Sequence, residues 1–279
     1  MWPVLFSIGN FSLSTLSVVL FLGFFVTGFT FWRRGKEEHY SEIQLFDGFL
    51  LAFLVGLLGA RASFIIFHWD RFGLDPLQWF NFLGNPGIHK LVLLIVSTFF
   101  LNSFAKKRKW DNFEVLDFWS LSLTMWLIVT SFGEFLAGTA RGYLTNSPIG
   151  LVFPGSIDRT HPIQLYSLAF FLLLYFYLSW AEYNYRTFDW YRLGKKAAQT
   201  GFLITNFYIF LALFSLLMLF FKLPEFVLNG KTLDIWLYLA MFFVGIKVLL
   251  DRSDKPLLPV SFKEKFLRKK TNSVNDLKV

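Results

Sequence analysis

Long apolar runs of about twenty residues alternate along this chain with short polar breaks, and most of the charge sits in the breaks. An α-helix needs roughly 17 to 25 mostly apolar residues to cross the hydrocarbon core of a bilayer. Seven runs have that character: 11–32, 44–68, 88–105, 113–137, 162–182, 200–221 and 234–250. The third and seventh are the least sharply defined, because polar residues blur their ends. Phe and Leu dominate the faces of the others, a pattern of lipid contact and helix packing rather than of a cofactor box. The pattern predicts an all-α, polytopic integral membrane protein: a seven-helix transmembrane domain over 1–250 and a basic, flexible cytoplasmic tail over 251–279.

Composition agrees, with 55% hydrophobic residues and 38 Phe among 279 residues and a mean hydropathy of +0.50. The first residues, MWPVLFSIGN, lack the basic start and small-residue cleavage site of a secretory signal, so the N-terminus is expected to be retained. Cysteine is absent, which removes disulfides and thiolate chemistry supplied by the chain itself. Any thiol must belong to a substrate.

The cations set the orientation, because Lys and Arg in short loops stay on the cytoplasmic side. Arg33, Arg34 and Lys36, then Lys106, Lys107, Arg108 and Lys109, then Arg186, Arg192, Lys195 and Lys196 occupy alternate breaks on one side, joined by the basic tail. The other side holds only Arg71, Lys90, Arg141, Arg159, Lys222 and Lys231. The N-terminus is therefore expected outside and the C-terminus inside. This asymmetry, with a tail touching anionic headgroups, accounts for the net charge of +8 without nucleic acid. No Walker loop, GxGxxG or HExxH occurs, so no metal or cofactor is expected.

Polar residues beside a bilayer are costly and usually functional. Two outer regions carry them. In GLLGARASFIIFHW, Arg61 sits inside an apolar helix; its forked guanidinium suits a lipid phosphate, with a structural ion pair or snorkelling as the alternative. His89, after GNPG, is either a packing residue or a general base. The second region is SFGEFLAGTARGYLTNSPIGLVFPGSIDRTHPIQLY, from Ser131 to Tyr166, with Glu134, Arg141, Asp158, Arg159 and His161 between two apolar runs. Glu134 is expected to pair with Arg141, seven residues on, because a buried carboxylate normally requires a partner; the alternative is a relocated base.

The succession GLLGARASFIIFHWDRFGLDPLQWF, GNPGIH, LDFWSLSLTMWLIVTSFGEFLAG, GLVFPG and HPIQLY resembles that of the prolipoprotein diacylglyceryl transferases, over the chain to about residue 250. HPxQLY after an FPG turn is fairly specific; the GAR motif alone is weak. The resemblance implies a seven-helix enzyme of the bacterial cytoplasmic (inner) membrane with its N-terminus outside. Its implied activity is transfer of a diacylglyceryl group from phosphatidylglycerol to the lipobox cysteine of a prolipoprotein signal peptide, releasing glycerol phosphate. The implied partners are that lipid and that peptide within the membrane.

Such chemistry needs a base or positive field for the thiol, and donors that stabilise the departing phosphate in a dry site. Matched motif to motif, the resemblance gives His89, His161 and Tyr166 as catalytic candidates, and Arg61, Arg141 and Arg159 as lipid phosphate candidates. Asp117, Gly133, Glu134, Gly138, Gly142, Pro162 and Gln164 are further signature positions. Where the family commonly reads GRxGNFxNGE this chain reads TSFGEFLAGT, so Ser131 replaces an arginine and Glu134 an asparagine. Lys90 and Leu91 replace two glycines after the histidine, and residues 201–221, where a second family arginine lies, carry no charge. Loss of one such donor costs roughly 3 to 4 kcal/mol of transition-state stabilisation. Arg141, Arg159 and Lys90, all on the outer face, are the residues that could compensate. The alternative is a noncatalytic lipid-binding or scaffold protein descended from the enzyme, with a seven-helix transporter or receptor more distant.

Overall fold

The computed structural model describes residues 1–253 apart from 10, 82–83, 185–198 and 229. The basic tail beyond 253 and Arg186, Arg192, Lys195 and Lys196 lie outside the described residues. A hairpin of β1 (Val4–Ile8) and β2 (Phe11–Ser14) leads into the long helix α1 (Thr15–Glu37), followed by α2 (Glu42–Phe67). Two short helices, α3 (Trp69–Phe72) and α4 (Pro76–Phe80), precede α5 (Lys90–Lys107) and α6 (Asn112–Ala137). The pair β3 (Leu151–Val152) and β4 (Arg159–Thr160) leads to α7 (Ile163–Asn184) and then α8 (Phe202–Met218). The hairpin of β5 (Val227–Leu228) and β6 (Lys231–Thr232) precedes α9 (Asp234–Ser253). All three strand pairs are antiparallel.

Four helices, α1, α2, α6 and α7, are long and apolar enough to cross a membrane, and α8 is a shorter apolar helix of 17 residues. Charges in α5 (Lys90, Lys106, Lys107) and in α9 (Asp234, Lys247, Asp251, Arg252) set those two apart. The first apolar run begins later as helix than the pattern predicts: Phe11–Ser14 is strand, and the Ser14 side chain accepts from the Ser17 N–H at 3.0 Å to start α1 at Thr15. Such a cap satisfies one of the orphan donors of a helix N-terminus.

Helix α6 forms the middle of the bundle, in contact with α1, α5, α7 and α8, while α9 packs on α8 and α2 on α5 and α1. That position explains its long run of buried residues, from Val115 to Thr124, with Trp119 fully buried. Helices approach closely where a side chain is missing. A Cβ on Gly56 would lie 3.0 Å from the Leu93 carbonyl of α5, and one on Gly133 would lie 2.8 Å from Val19 of α1. Small residues at such crossings allow the tight packing that replaces the hydrophobic effect inside lipid.

The ends of the bundle differ. The β1–β2 hairpin, the connections 68–89, 138–162 and 219–233 and all three strand pairs lie at one end, here called the head end. They are tied together by Trp2 N–H to Leu136 O at 2.8 Å and Tyr143 N–H to Phe221 O at 2.8 Å. At the opposite end Asp117, 1% exposed, accepts from the N–H groups of Gly201 (2.8 Å) and Ile204 (2.9 Å) and caps α8.

Candidate active site

At the head end a cavity of about 120 Å³ opens between α5, α6, α7 and α8, beneath the 219–233 connection. Its lower walls are apolar, with Leu91, Leu94, Leu127, Phe171 and Phe214, and its upper walls carry Lys90, Glu134, Lys222 and Glu225 with Ser131 and Gln164. Lys90 is the first residue of α5 and Glu134 lies one turn from the end of α6; their side chains form an ion pair across the two helices. Lys222 and Glu225 form a second pair, at 2.6 Å. Both cations therefore face the cavity with a carboxylate in hand.

The second pair is held from behind. The Asp234 carboxylate, fully buried at the start of α9, accepts from the N–H of Glu225 and of Phe226, both at 3.0 Å. This fixes the connection that carries Lys222 and Glu225. The Phe226 ring in turn lies 4.5 Å from the ring of His89, which precedes Lys90. Partial desolvation pushes the Glu225 carboxyl up, but Lys222, with Lys90 and His89 further off, outweighs it and holds Glu225 below the ordinary carboxylate range. The first residues of α5 and α7, Lys90 and Ile163, also reach the cavity wall, so the positive ends of two helix dipoles add to a field that favours an anion.

Among the described residues, the arginines and histidines singled out by sequence do not line this cavity. Arg61 is buried and turned to backbone carbonyls of the 76–89 connection: Trp79 at 2.9 Å, Asn85 at 2.8 Å, Gly87 at 3.0 Å and Gln78 at 3.3 Å. His89 shares a 2.8 Å hydrogen bond between Nδ1 and the Ser63 hydroxyl, and Phe64 and Phe67 pack on its ring. His161 Nδ1 lies 3.2 Å from the Tyr166 hydroxyl, and both rings pack on Phe221. With Gly142, whose Cβ would come within 2.6 Å of the Phe221 carbonyl, they seat the 138–162 connection on the end of α8. Pro162 is buried just before α7. Arg141 and Arg159 are exposed, and Arg141 donates to the Pro154 carbonyl.

Two of the signature positions do reach the cavity. Gln164 is buried in the first turn of α7 and donates through Nε2 to the Thr139 carbonyl. Glu134 reaches it too, but its partner is Lys90 and not Arg141. Gly138, at φ +69°, ends α6 in a left-handed conformation, so the seven-residue spacing that would have stacked Arg141 above Glu134 is broken. Lys222 and Glu225 were missed because they follow the uncharged run 201–221. The available signal was a lysine and glutamate three residues apart at the mouth of an apolar helix.

A second, apolar groove of about 420 Å³ lies between α5 and α9, lined by Ile95, Phe99, Leu237, Met241 and Val244 and floored by Ile204 and Tyr208 of α8. The Tyr208 hydroxyl bonds Thr98 at 2.7 Å and the Leu94 carbonyl at 2.9 Å. Leu94 lines the charged cavity and Thr98 the groove, so a single layer separates them.

The family model described as prolipoprotein diacylglyceryl transferase matches residues 3–250. The chain belongs to this family. It is similar to the phosphatidylglycerol–prolipoprotein diacylglyceryl transferase of Rickettsia canadensis (strain McKiel), 26% identical over 91% of this chain and 97% of the relative. The protein of the same name from Clostridium tetani (strain Massachusetts / E88) is 29% identical over 68% and 80%. That from Vibrio vulnificus (strain YJ016) is 31% identical over 64% and 67%. Ser131 presents a hydroxyl to the cavity from the α6 wall, and the cations reach it from α5 and from the 219–233 connection.

Proposed function

We propose that this protein transfers the diacylglyceryl group of phosphatidylglycerol to the lipobox cysteine thiol of a prolipoprotein, at the head-end cavity. The observation that carries the reading is a cavity with two lysines and two glutamates cut into the end of an apolar bundle of this family. In the reaction the cysteine sulfur forms a bond to the terminal glyceryl carbon of the diacylglycerol moiety. The carbon–oxygen bond to phosphate breaks, the electron pair leaves with glycerol phosphate, and the thiol proton passes to a base. Lysine ammonium groups suit the phosphate, and a carboxylate in the same cavity suits the proton.

The seven long helices are read as spanning a bacterial cytoplasmic membrane, with the N-terminus and the cavity outside. The basic connections near Arg34 and Lys107 lie at the end opposite the cavity, and positive charge in short loops stays inside. The groove between α5 and α9 would take an acyl chain while the headgroup occupies the cavity one layer above. The cavity's own lysines weigh against a noncatalytic descendant.

The test is reconstitution of the full chain in vesicles of phosphatidylglycerol with a lipobox peptide. Mass spectrometry should find a thioether-linked diacylglyceryl adduct on cysteine, and none when that cysteine is replaced by serine. An intact, folded protein that yields no adduct refutes the assignment.

A further inference from the structure

Two carboxylates and two ammonium groups face the cavity, but the two pairs are not equivalent. Lys222 and Glu225 lie three residues apart on one connection, and the Glu225 side chain is 41% exposed. Lys90 and Glu134 come from two different helices that form opposing walls, and the Glu134 side chain is only 14% exposed. One turn before Glu134, Ser131 brings no charge to the α6 wall, so the cation that faces this wall belongs to α5. The His89 ring does not line the cavity, and its Nε2 is buried without a hydrogen-bond partner. Its Nδ1 is engaged with Ser63, and Phe64, Phe67 and Phe226 enclose it.

We propose that Lys90 binds the phosphate of the lipid substrate and that its resting partner Glu134 is the base of the transfer reaction. This rests on the reading of the cavity as the transfer site. A phosphodiester entering the cavity competes with Glu134 for the Lys90 ammonium. As the lysine turns to phosphate, the carboxylate is left without its counter-ion, and a thiol arriving in the same space gives it a proton. The sulfur lone pair then forms the bond to the glyceryl carbon, and the glycerol phosphate departs with the broken bond's electrons, held by Lys90. The ion pair thus keeps both groups inactive until the anionic lipid arrives. An ammonium is a strongly hydrated point charge with rotatable donors, so exchange between two anions requires only a turn of its flexible stem.

The experiment uses the full chain in nanodiscs. Retention of phosphatidylglycerol against zwitterionic phosphatidylcholine is followed by native mass spectrometry, in parallel with peptide turnover. Lys90→Met keeps the stem and removes the charge; it is expected to abolish the preference for phosphatidylglycerol and to raise KM for that lipid. Glu134→Gln is expected to keep the preference while kcat falls by about 100-fold or more, the usual scale for a lost proton acceptor. Lys90→Met with Glu134→Gln removes both charges, so no buried carboxylate is stranded. It reports the same loss of preference even if the single lysine variant does not fold. Lys90→Met with Ser131→Arg returns a cation to the facing wall and is expected to restore the lipid preference. Glycerol phosphate, which carries the phosphate without tails, should compete with the lipid on the parent chain and much less on Lys90→Met.

A folded double-neutral variant that still prefers phosphatidylglycerol, or competition by glycerol phosphate that Lys90→Met leaves unchanged, overturns the phosphate assignment. Glu134→Gln with undiminished kcat overturns the base. If the parent chain makes no adduct at all, the transfer reading fails, while lipid retention still decides the role of Lys90.

Discussion

Asp234 offers a sharp test of how the cavity is held together. Its two carboxylate oxygens accept from the Glu225 and Phe226 N–H groups, each at 3.0 Å, and the Tyr238 hydroxyl approaches at 3.4 Å. Asp234→Asn keeps one acceptor and turns the other oxygen into a donor that faces a backbone N–H. One hydrogen bond to a charged group is lost, about 1.5 to 3 kcal/mol, and an N–H is stranded beside the Phe226 ring. For a chain of this size each kcal/mol corresponds to a shift of roughly 2 to 4 °C in Tm, so melting in detergent should fall by roughly 3 to 12 °C. Because Lys222 and Glu225 ride on the freed connection, turnover per folded molecule should also drop.

Asp117 is the matched control. It is equally buried and also caps a backbone, through Gly201 and Ile204, but at the far end of the bundle. Asp117→Asn should lower Tm by a similar amount and leave turnover per folded molecule unchanged. Equal losses of turnover in the two variants, after normalising to folded protein, would falsify the placement of the reaction at the head end. An Asp234→Asn protein with unchanged melting would refute the energetic reasoning itself.

Three further outcomes follow from single sites. Arg61→Met strands several carbonyls of the 76–89 connection and should cost about 3 kcal/mol or more in thermal stability, at roughly 1 to 3 kcal/mol per unmet group; a raised KM with unchanged melting would instead make Arg61 a lipid ligand. Glu225 is held below the ordinary carboxylate range, so its contribution to stability is fully present above a pH of about 4.3 and lost only as pH falls below that. Lys222→Met removes the largest attraction that holds the Glu225 carboxyl down, so the acid loss should shrink, seen as melting temperatures that drop less below a pH of about 4.3 than in the parent; superimposable curves would contradict the pairing. Ala240→Trp, at the exposed rim of the α5–α9 groove, should raise KM for long-chain phosphatidylglycerol more than for short-chain lipid, and equal effects on both would remove the groove from the acyl path.

The helices were legible because lipid-facing and core-facing runs are apolar over their whole length, and the signals at their ends are local. Ser14, Asp111 and Gly138 mark helix ends through contacts within a few residues, and the FPG and HPxQLY segments carried the family. The charged groups of the cavity were harder to place, because the direction of a side chain at a helix end depends on which residue begins the helix. Successive residues on an α-helix turn by about 100°. His89 stands before the first turn of α5 and packs toward Ser63 of α2, while Lys90, one residue on, faces the cavity. No spacing rule on a single chain distinguishes these two outcomes without the start of α5. The same holds for Glu134, whose expected partner lay beyond a helix end and whose observed partner lies 44 residues earlier on another helix. A charge missing from one wall of a cavity is therefore better sought on a neighbouring helix than along the same one: Ser131 brings no charge from α6, and Lys90 of α5 lines the same cavity.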